Sequence, residues 1–557
     1  MSWRSKSYEV LPALSVRGPE LRSSLRTVTM AWMFGIVWFV CCTTGSHVQV
    51  FARMTGFGEF AFGVMAAIPF LASFGQIIAS VLIERTGLRK YQFLQFNVIH
   101  RAAWLLIAGV PLFLDIPSPL AVWLTLAILM GSYFAAALAA PAWFSWMGDL
   151  IPRRVRGRYF ARRERFTLMV QIVVVVALGI LFDRLTVFDA AGKEAIQQPA
   201  ILHMAMIVYA IGAVFGVLDT VIFLRIRELR PPRKVASEPI LRWTEFPPPR
   251  RMSLAHLRYD ARYLGSAAYQ LLLDPLKDRV FRNYVLFAAT LSFSATASGW
   301  YFWSLCLEHL HFGKLGTNML FQVIGPLSSI AAAPFWGKLI DRFGRRPVLT
   351  VATILVLISN VPWFLAMPNL QGPAWMIWLL NGSASWVGSI FGHGNWQLIG
   401  AATPLGSFLI ASSACVIGGC GWTGIGISQM SIMVGFSDGK GRSKYLAASS
   451  VLISVGGVAG GVVGGLVSQG LVYYNAHPLI VGPFIWNNWH ATMVITTMAR
   501  VVALFFLRGM PDPGSRSVSD MMRFMRVNVQ NAVTMWLFYP LRVLQHNNGD
   551  EQSGRGS

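Results

Sequence analysis

The sequence predicts an all-α polytopic membrane protein, with 12 transmembrane helices arranged as two pseudo-symmetric six-helix bundles. Three observations support this class: the apolar composition, the number of long apolar segments, and a charged motif that occurs twice. Hydrophobic residues form 55% of the 557-residue chain, charged residues form 13%, and the mean hydropathy is +0.53. Soluble domains carry about 25% charged residues, so this composition is that of a membrane protein.

Twelve apolar segments are long enough to cross a bilayer, which takes about 20 residues in a helix. They lie at 28–51, 60–83, 92–114, 119–147, 164–183, 200–224, 284–306, 317–340, 347–367, 406–435, 446–471 and 484–508. The first is too long for a signal-peptide core and has no clear cleavage site. It is therefore retained as the first span.

The loops between these segments alternate between basic and nearly uncharged. The basic class includes 85–90, 153–165, 338–346 and 440–444 together with both terminal segments, whereas the other class holds only Arg53, Arg184, Lys193 and Lys314. Lys and Arg concentrate on the cytoplasmic side of membrane proteins. The pattern predicts a multi-pass protein of the cell (inner) membrane with both termini in the cytoplasm.

Other functional classes lack their signatures. The net charge of +23 lies in the basic loops, and no helix-turn-helix or zinc-finger pattern accompanies it, so we expect no nucleic-acid partner. The five cysteines lie in apolar segments without metal-ligand spacing, so we expect no disulfide and no metal. No nucleophile elbow, zinc-hydrolase motif or phosphate-binding glycine loop is present. The sequence therefore predicts neither an enzyme nor a cofactor.

The apolar segments divide the chain into five parts. These are a cytoplasmic N-terminal segment at 1–27, a first bundle at 28–224, a basic cytoplasmic linker at 225–282, a second bundle at 283–508, and a cytoplasmic tail at 509–557. The proline-rich linker either contains a helix on the membrane surface or is only partly ordered. The tail alternates large apolar residues with arginines, which favours an amphipathic helix.

The second bundle contains an insertion at about 372–402, rich in Trp, Gly and Asn and free of charged residues. We expect an extracytoplasmic loop or a shallow re-entrant segment. A thirteenth span is the alternative, but it would place the cations of 440–444 on the wrong side.

The eleventh span contains two rows of glycines at four-residue spacing: Gly456, Gly460 and Gly464, and Gly457, Gly461 and Gly465. Each row lies on one helical stripe and permits close approach of a neighbouring backbone. The rows indicate either static packing or a surface that slides during a conformational change.

A charged turn occurs between the second and third segments of each half. The motif residues are Gly337, Asp341, Arg342, Gly344, Arg345 and Arg346 in the second half and Glu84, Arg85, Gly87 and Arg89 in the first. The first copy has Ser80, Glu84 and Leu88 in place of Gly, Asp and Arg. Two six-span halves that share this turn resemble the major facilitator superfamily over about residues 28–508. No further signature assigns a subfamily.

The resemblance implies two bundles that rock about a site near the bilayer midplane. It implies that Glu84 faces the start of the eleventh span near Arg442 and Lys444, and that Asp341 faces the start of the fifth near Arg158 and Arg162. A carboxylate at a helix N-terminus is favourable by about 0.3–1 kcal/mol. We therefore interpret these contacts as a latch of the outward-facing state; the alternative is that the charges only set topology and turn geometry.

The resemblance also implies that the first, fourth, seventh and tenth spans line the cavity. Their interiors contain no Asp, Glu, Lys or Arg. Candidate cavity residues are His47, Gln49, Tyr133, Trp143, Thr296, Trp300, Tyr301 and Gln429, and for about half of them helix packing is the alternative. Aromatic rings and amides suit a neutral or amphipathic organic solute.

Three charged residues lie inside other spans: Arg101, Asp219 and Arg500. Charges at membrane depth are costly and indicate function by default. The alternatives are a structural Arg101–Asp219 pair and arginines that extend towards the headgroups. Asp219 is the interior carboxylate available for proton coupling.

These observations predict a secondary active or facilitative transporter of a small organic solute that works by alternating access. The expected partners are the lipid bilayer, the solute and, if transport is coupled, H⁺ or Na⁺; we expect a monomer. Two other functions remain open: a membrane binding or assembly factor built on a transporter fold, and a lipid-moving protein.

Overall fold

The structure is a computed structural model that describes residues 19–86, 88–151, 153–186, 199–226, 275–368, 370–390, 404–436, 442–510 and 515–527. Within these ranges the chain is almost entirely helical. One short hairpin, formed by the strands Leu479–Val481 and Phe484–Trp486, is the exception that the sequence did not predict. The predicted linker between the halves lies mostly outside the described residues.

The first half folds into helices that follow the predicted segments closely. They are Pro19–Trp38, Phe39–Thr43, Ser46–Thr55, Glu59–Ala72, Gly75–Thr86, Arg89–Phe113, Pro119–Leu150, Arg153–Leu185, Pro199–Ile222 and Phe223–Arg225. The first span is interrupted at Gly45, whose φ of +129° only glycine adopts readily. The first span begins earlier than predicted, since polar residues preceding Val28 continue the same helix.

The second half is built from more interrupted helices. They are Pro275–Lys277, Arg279–Ser298, Tyr301–Ser304, Leu305–His309, Gly313–Asn318, Met319–Ile324, Gly325–Phe343, Arg345–Ile358, Val361–Leu365, Ala374–Ile390, Leu405–Phe436, Arg442–Gly470, Tyr473–Ala476 and Asn488–Arg508. A further helix covers 518–527, within the segment where the amphipathic tail helix is predicted; the rest of the tail lies outside the described residues.

Eleven helical segments in the described part of the chain are long and apolar enough to cross a membrane. They correspond to all of the predicted spans except the seventh. That segment forms the helix Arg279–Ser298, which carries two arginines and several hydroxyl residues and packs against the eleventh and twelfth spans. The count of 12 therefore stays a prediction, while the multi-pass helical architecture is established.

Exposed apolar side chains cover the outer surface of the spans. Examples are Ile78, Leu106, Val173, Ile207 and Met498, each at least half exposed. An aqueous protein of this size would bury such residues, whereas lipid tails accept them. The chain is an integral, multi-pass membrane protein.

The two glycine rows of the eleventh span contact different partners. A Cβ added at Gly456, Gly460 or Gly464 would meet backbone carbonyl oxygens of the seventh span, in the same half of the chain. A Cβ added at Gly457 or Gly461 would instead meet the second span, in the other half. One row therefore joins helices within a half, and the other forms part of the surface between the halves.

The insertion contains the helix Ala374–Ile390, where we expected a loop or a shallow re-entrant segment. Its side chains include three largely exposed tryptophans, Trp375, Trp378 and Trp386. Indole rings favour the membrane interface, where one edge is apolar and the other is hydrated. Residues 391–403 lie outside the described part of the chain.

Candidate functional site

A cavity of about 520 Å³ lies between the halves and extends into the second one. Glu164 lines the cavity near the start of the fifth span. Phe302, at the end of the predicted seventh span, and Leu320, near the start of the eighth, line it towards the other face of the membrane. The remaining lining comes from the fifth, eighth, ninth, tenth and twelfth spans. A volume of this size accommodates a small organic molecule.

Aromatic rings form much of the cavity wall. Trp363 packs against Phe302 at a ring-centroid distance of 5.0 Å and stacks on Phe321 at 5.9 Å. Trp422, on the tenth span, adds a ring that is 37% exposed. Packed rings offer a rigid apolar surface to a ligand with a flat or aliphatic body.

Arg500 supplies a cation to the same cavity. Its side chain is almost fully buried, and Nη1 donates to the backbone carbonyl oxygen of Val356 and to Asn360 Oδ1, each at 2.6 Å. The guanidinium carbon lies 5.9 Å from the ring centroid of Trp422. Arg500 therefore does not extend towards the headgroups, which was one interpretation of its sequence position.

The eight cavity residues predicted from the sequence lie elsewhere. Only Tyr133 and Trp300 line a described cavity, a smaller one of about 130 Å³. Trp143 stacks on Trp32, and Thr296 donates to the Gly457 carbonyl oxygen, so both pack helices. Gln429 is half-buried in the tenth span.

The other three predicted cavity residues, His47, Gln49 and Tyr301, lie near the end of the chain's first span. His47 Nε2 lies 2.8 Å from the Cys41 carbonyl oxygen, across the break at Gly45. Gln49 Nε2 donates to Ser304 Oγ at 2.6 Å, and Tyr301 Oη donates to the Glu59 carbonyl oxygen at 2.9 Å. Two of the three therefore join the first half to the second.

Arg101 and Asp219 form a buried ion pair within the first half, with Nη2 3.1 Å from Oδ2. The Trp38 ring lies 3.6 Å from the Arg101 guanidinium carbon. Gly35 leaves the space that the Asp219 carboxylate occupies, since a Cβ there would lie 2.9 Å from Oδ2. Arg101 and Asp219, which the sequence suggested as a pair, are therefore in direct contact.

A charged network joins the halves at the face of the protein where the first span ends. This face (residues 53–59, 301–318 and 465–490) lies across the membrane from the basic loops, and we call it the opposite face. Glu59 is 3% exposed, and its carboxylate accepts from Arg53 Nη2 at 2.6 Å. It also accepts from Ser468 Oγ at 2.9 Å and from Trp489 Nε1 at 3.0 Å. Arg53 Nε donates to Glu308 at 2.8 Å.

Further contacts at the opposite face involve the fifth and eighth spans. Asp183 accepts from the backbone N–H groups of Lys314 and Leu315 at 2.6 and 2.9 Å. These N–H groups open the helix Gly313–Asn318, whose N-terminal dipole favours a carboxylate. The backbone N–H of Ser46 donates to Asn318 at 2.8 Å.

The contacts between the halves reach about mid-depth. Among the described residues, the last hydrogen bond on one side of the cavity joins Ser73 and Ser454, whose hydroxyl oxygens are 2.7 Å apart. The last one on the other side is from Gln171 to the Gln322 carbonyl oxygen, at 3.0 Å. Ser73 lies 14 residues beyond Glu59, or about 21 Å along a helix. The halves are thus closed together at the opposite face.

The charged turn of the second half lies at the other face, which we call the basic face (residues 89–90, 162–163 and 342–346). Gly344 adopts a φ of +92° between two helices, which explains glycine at this position. Arg346 Nη2 donates to the Arg508 carbonyl oxygen at 3.0 Å, and Arg342 lies over Phe524.

The predicted latch partners are only partly described. Asp341 and Arg162 are both exposed and form no ion pair with each other. Arg89 donates to Ser145 Oγ at 2.9 Å, and Arg345 is half-buried in the turn. Gly337 has open space around its Cα. The side chains of Glu84, Arg85, Arg158, Arg442 and Lys444, and Gly87, lie outside the described part.

Together these features define a class: a multi-pass membrane protein whose two helical halves meet at one face and flank a cavity at mid-depth. A sequence profile described as "Major Facilitator Superfamily" matches residues 27–403. The chain belongs to the major facilitator superfamily.

Solved structures share this fold at low sequence identity. The nucleoside transporter NupG is 12% identical with a TM-score of 0.54, and 87% of this chain covers 98% of that one. A D-xylose-proton symporter is 13% identical with a TM-score of 0.55, over 89% of this chain and 100% of that one. The xylose transporter XylE from E. coli, in a partially occluded inward open conformation, is 13% identical with a TM-score of 0.53 over the same shares. A comparison with curated protein sequences finds no match.

Proposed function

We propose that this protein is a secondary active or facilitative transporter that carries a small organic solute by rocker-switch alternating access. Transmembrane transport is the function of the family to which the chain belongs. The observation that carries the mechanism is the asymmetry between the two faces. Contacts between the halves close the opposite face, and among the described residues their hydrogen bonds extend no further than mid-depth.

In this proposal, the network around Glu59 is the gate that holds the opposite face shut. Its donors come from four other spans: Arg53 from the first, Tyr301 from the seventh, Ser468 from the eleventh and Trp489 from the twelfth. A buried carboxylate with several donors is stable only while all of them surround it. Opening therefore requires water or another partner to replace them.

The latch at the basic face would act in the alternate state. Asp341 is exposed and Arg162 is unpaired with it, as a form open at the basic face requires. When the basic face closes, Asp341 would approach the start of the fifth span, and Glu84 would approach the start of the eleventh. Helix N-terminal dipoles and cations there favour the two carboxylates.

The second glycine row would be the surface on which the halves move. Gly457 lies against the ring of Phe70, and Gly461 lies against Gly63 and Ala67, so the eleventh span closely approaches the second. Small residues create few interlocking ridges, so the two backbones can shift along each other at low cost. The first row, which faces the seventh span, would stay packed throughout.

The orientation follows from the distribution of cations. We place the basic face, both termini, the linker at 225–282 and the tail at 509–557 in the cytoplasm, and the insertion at 372–402 on the outer side. The structure would then be the inward-open form of a protein in the cell (inner) membrane.

The solute is a small neutral or amphipathic organic molecule, as the aromatic wall of the 520 Å³ cavity favours. Similar structures are those of a nucleoside transporter and a D-xylose-proton symporter. At 12–13% identity these likenesses concern the fold, and neither substrate is transferred to this chain.

A two-stage experiment tests this function. Purified protein is first screened for thermal stabilisation by classes of organic solute, since a ligand at 100 times its Kd stabilises by about 2.7 kcal/mol. A stabilising solute is then measured for uptake into proteoliposomes. Uptake above that of protein-free liposomes supports alternating access if it is lost when a disulfide between Ser73→Cys and Ser454→Cys, whose native hydroxyl oxygens are 2.7 Å apart, locks the two halves together. A stabilising solute that is bound but never transported contradicts it and favours a binding or assembly factor.

A lipid-moving function is tested in the same vesicles. The exposed tryptophans of the helix Ala374–Ile390 are the feature that favours contact with lipid. Redistribution of a fluorescent phospholipid between leaflets, without uptake of any soluble solute, would replace the proposed solute transport with lipid movement.

A further inference from the structure

Two buried arginines lie at membrane depth in this protein, and they differ in their counter-ions. Arg101 has Asp219 as an ion-pair partner. Arg500 is 4% exposed, yet no carboxylate in the described part of the chain lies within 4.0 Å of its guanidinium. A buried charge without a partner is strongly unfavourable, so a counter-ion for Arg500 has a clear energetic role.

The hydrogen bonds of Arg500 hold its guanidinium in place and leave part of it free. Nη1 uses its two hydrogens on the Val356 carbonyl oxygen and Asn360 Oδ1. Nε is buried without a hydrogen-bond partner. Nη2 donates to no described residue and is not among the fully buried unpaired atoms, so it is the donor that reaches the cavity. Guanidinium groups with free donors bind carboxylates strongly.

The rest of the cavity restricts the charge and shape of this anion. Phe302, Phe321 and Trp363 form an apolar wall, which suits a ligand body rather than a second charge. Glu164 also lines the cavity, but its carboxylate is bound by Arg163 at 2.6 Å and is about half exposed. A dianion would therefore place its second charge against rings or near an acidic side chain.

We propose that this cavity binds an organic monocarboxylate, whose carboxylate pairs with Arg500 and whose aromatic or aliphatic body lies on the wall of Phe302, Phe321, Trp363 and Trp422. This assignment rests on the proposed transport function for its setting and names the class of solute. The sequence led us to expect a cavity lined by the first, fourth, seventh and tenth spans, which carry no interior charge. This cavity differs because Arg500, on the twelfth span, places a cation in it.

The test compares 2-naphthoate with its uncharged analogue 2-naphthamide. Binding to the purified protein in phosphatidylcholine nanodiscs is measured by calorimetry at pH 7, where the carboxyl group is ionised. We expect the carboxylate to bind at least 10-fold more tightly than the amide. Equal affinity for the two compounds, or no binding of the carboxylate, would overturn the assignment.

Variants of Arg500 identify the residue responsible. Arg500→Gln should weaken naphthoate binding by at least about 30-fold, as expected when one member of a buried charge pair is lost, with little change for naphthamide. Arg500→Lys should restore part of the affinity. Arg508→Gln, on the same helix at the basic face, is the matched control and should bind naphthoate as the unaltered protein does. Unchanged naphthoate affinity in Arg500→Gln would refute the inference; if that variant does not fold, the comparison of the two compounds still decides.

Two further arms separate alternative explanations. If phosphatidylglycerol in the nanodiscs competes with naphthoate, the anion is a lipid headgroup and the proposal of a soluble carboxylate is wrong. Uptake into proteoliposomes tests transport independently. Binding that depends on Arg500 without uptake supports this site and contradicts the transporter proposal. Uptake of a solute without any preference for a carboxylate supports the transporter proposal and contradicts this site.

Discussion

Replacing Glu59 with glutamine removes the charge at the centre of the opposite-face gate while keeping the size of the side chain. The carboxylate accepts from Arg53, Ser468 and Trp489 at 2.6, 2.9 and 3.0 Å in a site that is 3% exposed. The last two donors belong to the other half of the chain. Glu59→Gln should therefore destabilise the closed opposite face more than it destabilises either half.

The magnitude follows from these contacts. Loss of one member of a buried ion pair costs about 3–5 kcal/mol. Arg53 keeps Glu308 as a partner, and the glutamine oxygen still accepts one hydrogen bond, so we expect about 2–3 kcal/mol. At 1.4 kcal/mol for each factor of 10, the ratio of open to closed opposite face should rise by about 30- to 140-fold.

The assay is a distance measurement between spin labels on the two halves. Asp115→Cys and His477→Cys are exposed at the opposite face, one in each half, and Cys415 and Cys420, the partly accessible native cysteines, are replaced by alanine. Glu59→Gln should transfer much of the distance distribution to longer values.

Glu308→Gln is the matched control. Its carboxylate is 37% exposed and contacts Arg53 alone among the described salt bridges, so we expect at most about 1 kcal/mol. A distribution unchanged by Glu59→Gln would show that the network does not hold the gate, and an equal response to both substitutions would show that the burial of Glu59 does not set the size of the effect.

Other predictions concern the remaining charges and the glycine rows. Asp341→Asn should weaken the latch and raise the population open at the basic face by about 2- to 5-fold; unaltered transport and spin-label distances there would refute the latch. Asp219→Asn should lower the free energy of unfolding by about 3–5 kcal/mol, and adding Arg101→Met should recover most of it; transport by Asp219→Asn with the wild-type rate and pH dependence would exclude Asp219 from proton coupling. Gly460→Ala should lower the thermal midpoint because the methyl group meets the backbone of the seventh span, whereas Gly470→Ala, with open space around it, should not; equal midpoints would contradict the packing argument.

Hydropathy and charge made the architecture predictable. The positions of the apolar segments follow from the free energy of placing about 20 residues in lipid, a local property of each segment. The charged turn at Gly344 could also be predicted, because a glycine at a positive φ between two helices belongs to a short, recognisable sequence motif. The seventh span, predicted at 284–306, stays a prediction, since its helix Arg279–Ser298 is not among the eleven segments long and apolar enough to cross a membrane.

The charged network at the opposite face could not be predicted from the sequence, although one signal was present. Arg53 was recognised as one of the few cations on that face, but Glu59 and Glu308 were not connected to it. Glu308 is 255 residues away from Arg53 in sequence. Only the packing of the first span against the seventh brings Arg53 and Glu308 together. The hydrophobic periodicity of a sequence contains no information about such a contact.

The sequence by itself determined which segments cross the membrane and which family the chain belongs to, because both depend on local composition and on a contiguous motif. Only the tertiary structure decided the surroundings of the interior charges. Arg101 and Arg500 occupy similar positions in their own helices, yet one packs against an aspartate and the other lines a cavity. The reason is that the stability of a buried charge depends on what surrounds it in three dimensions, and that environment is formed by residues distant in the chain.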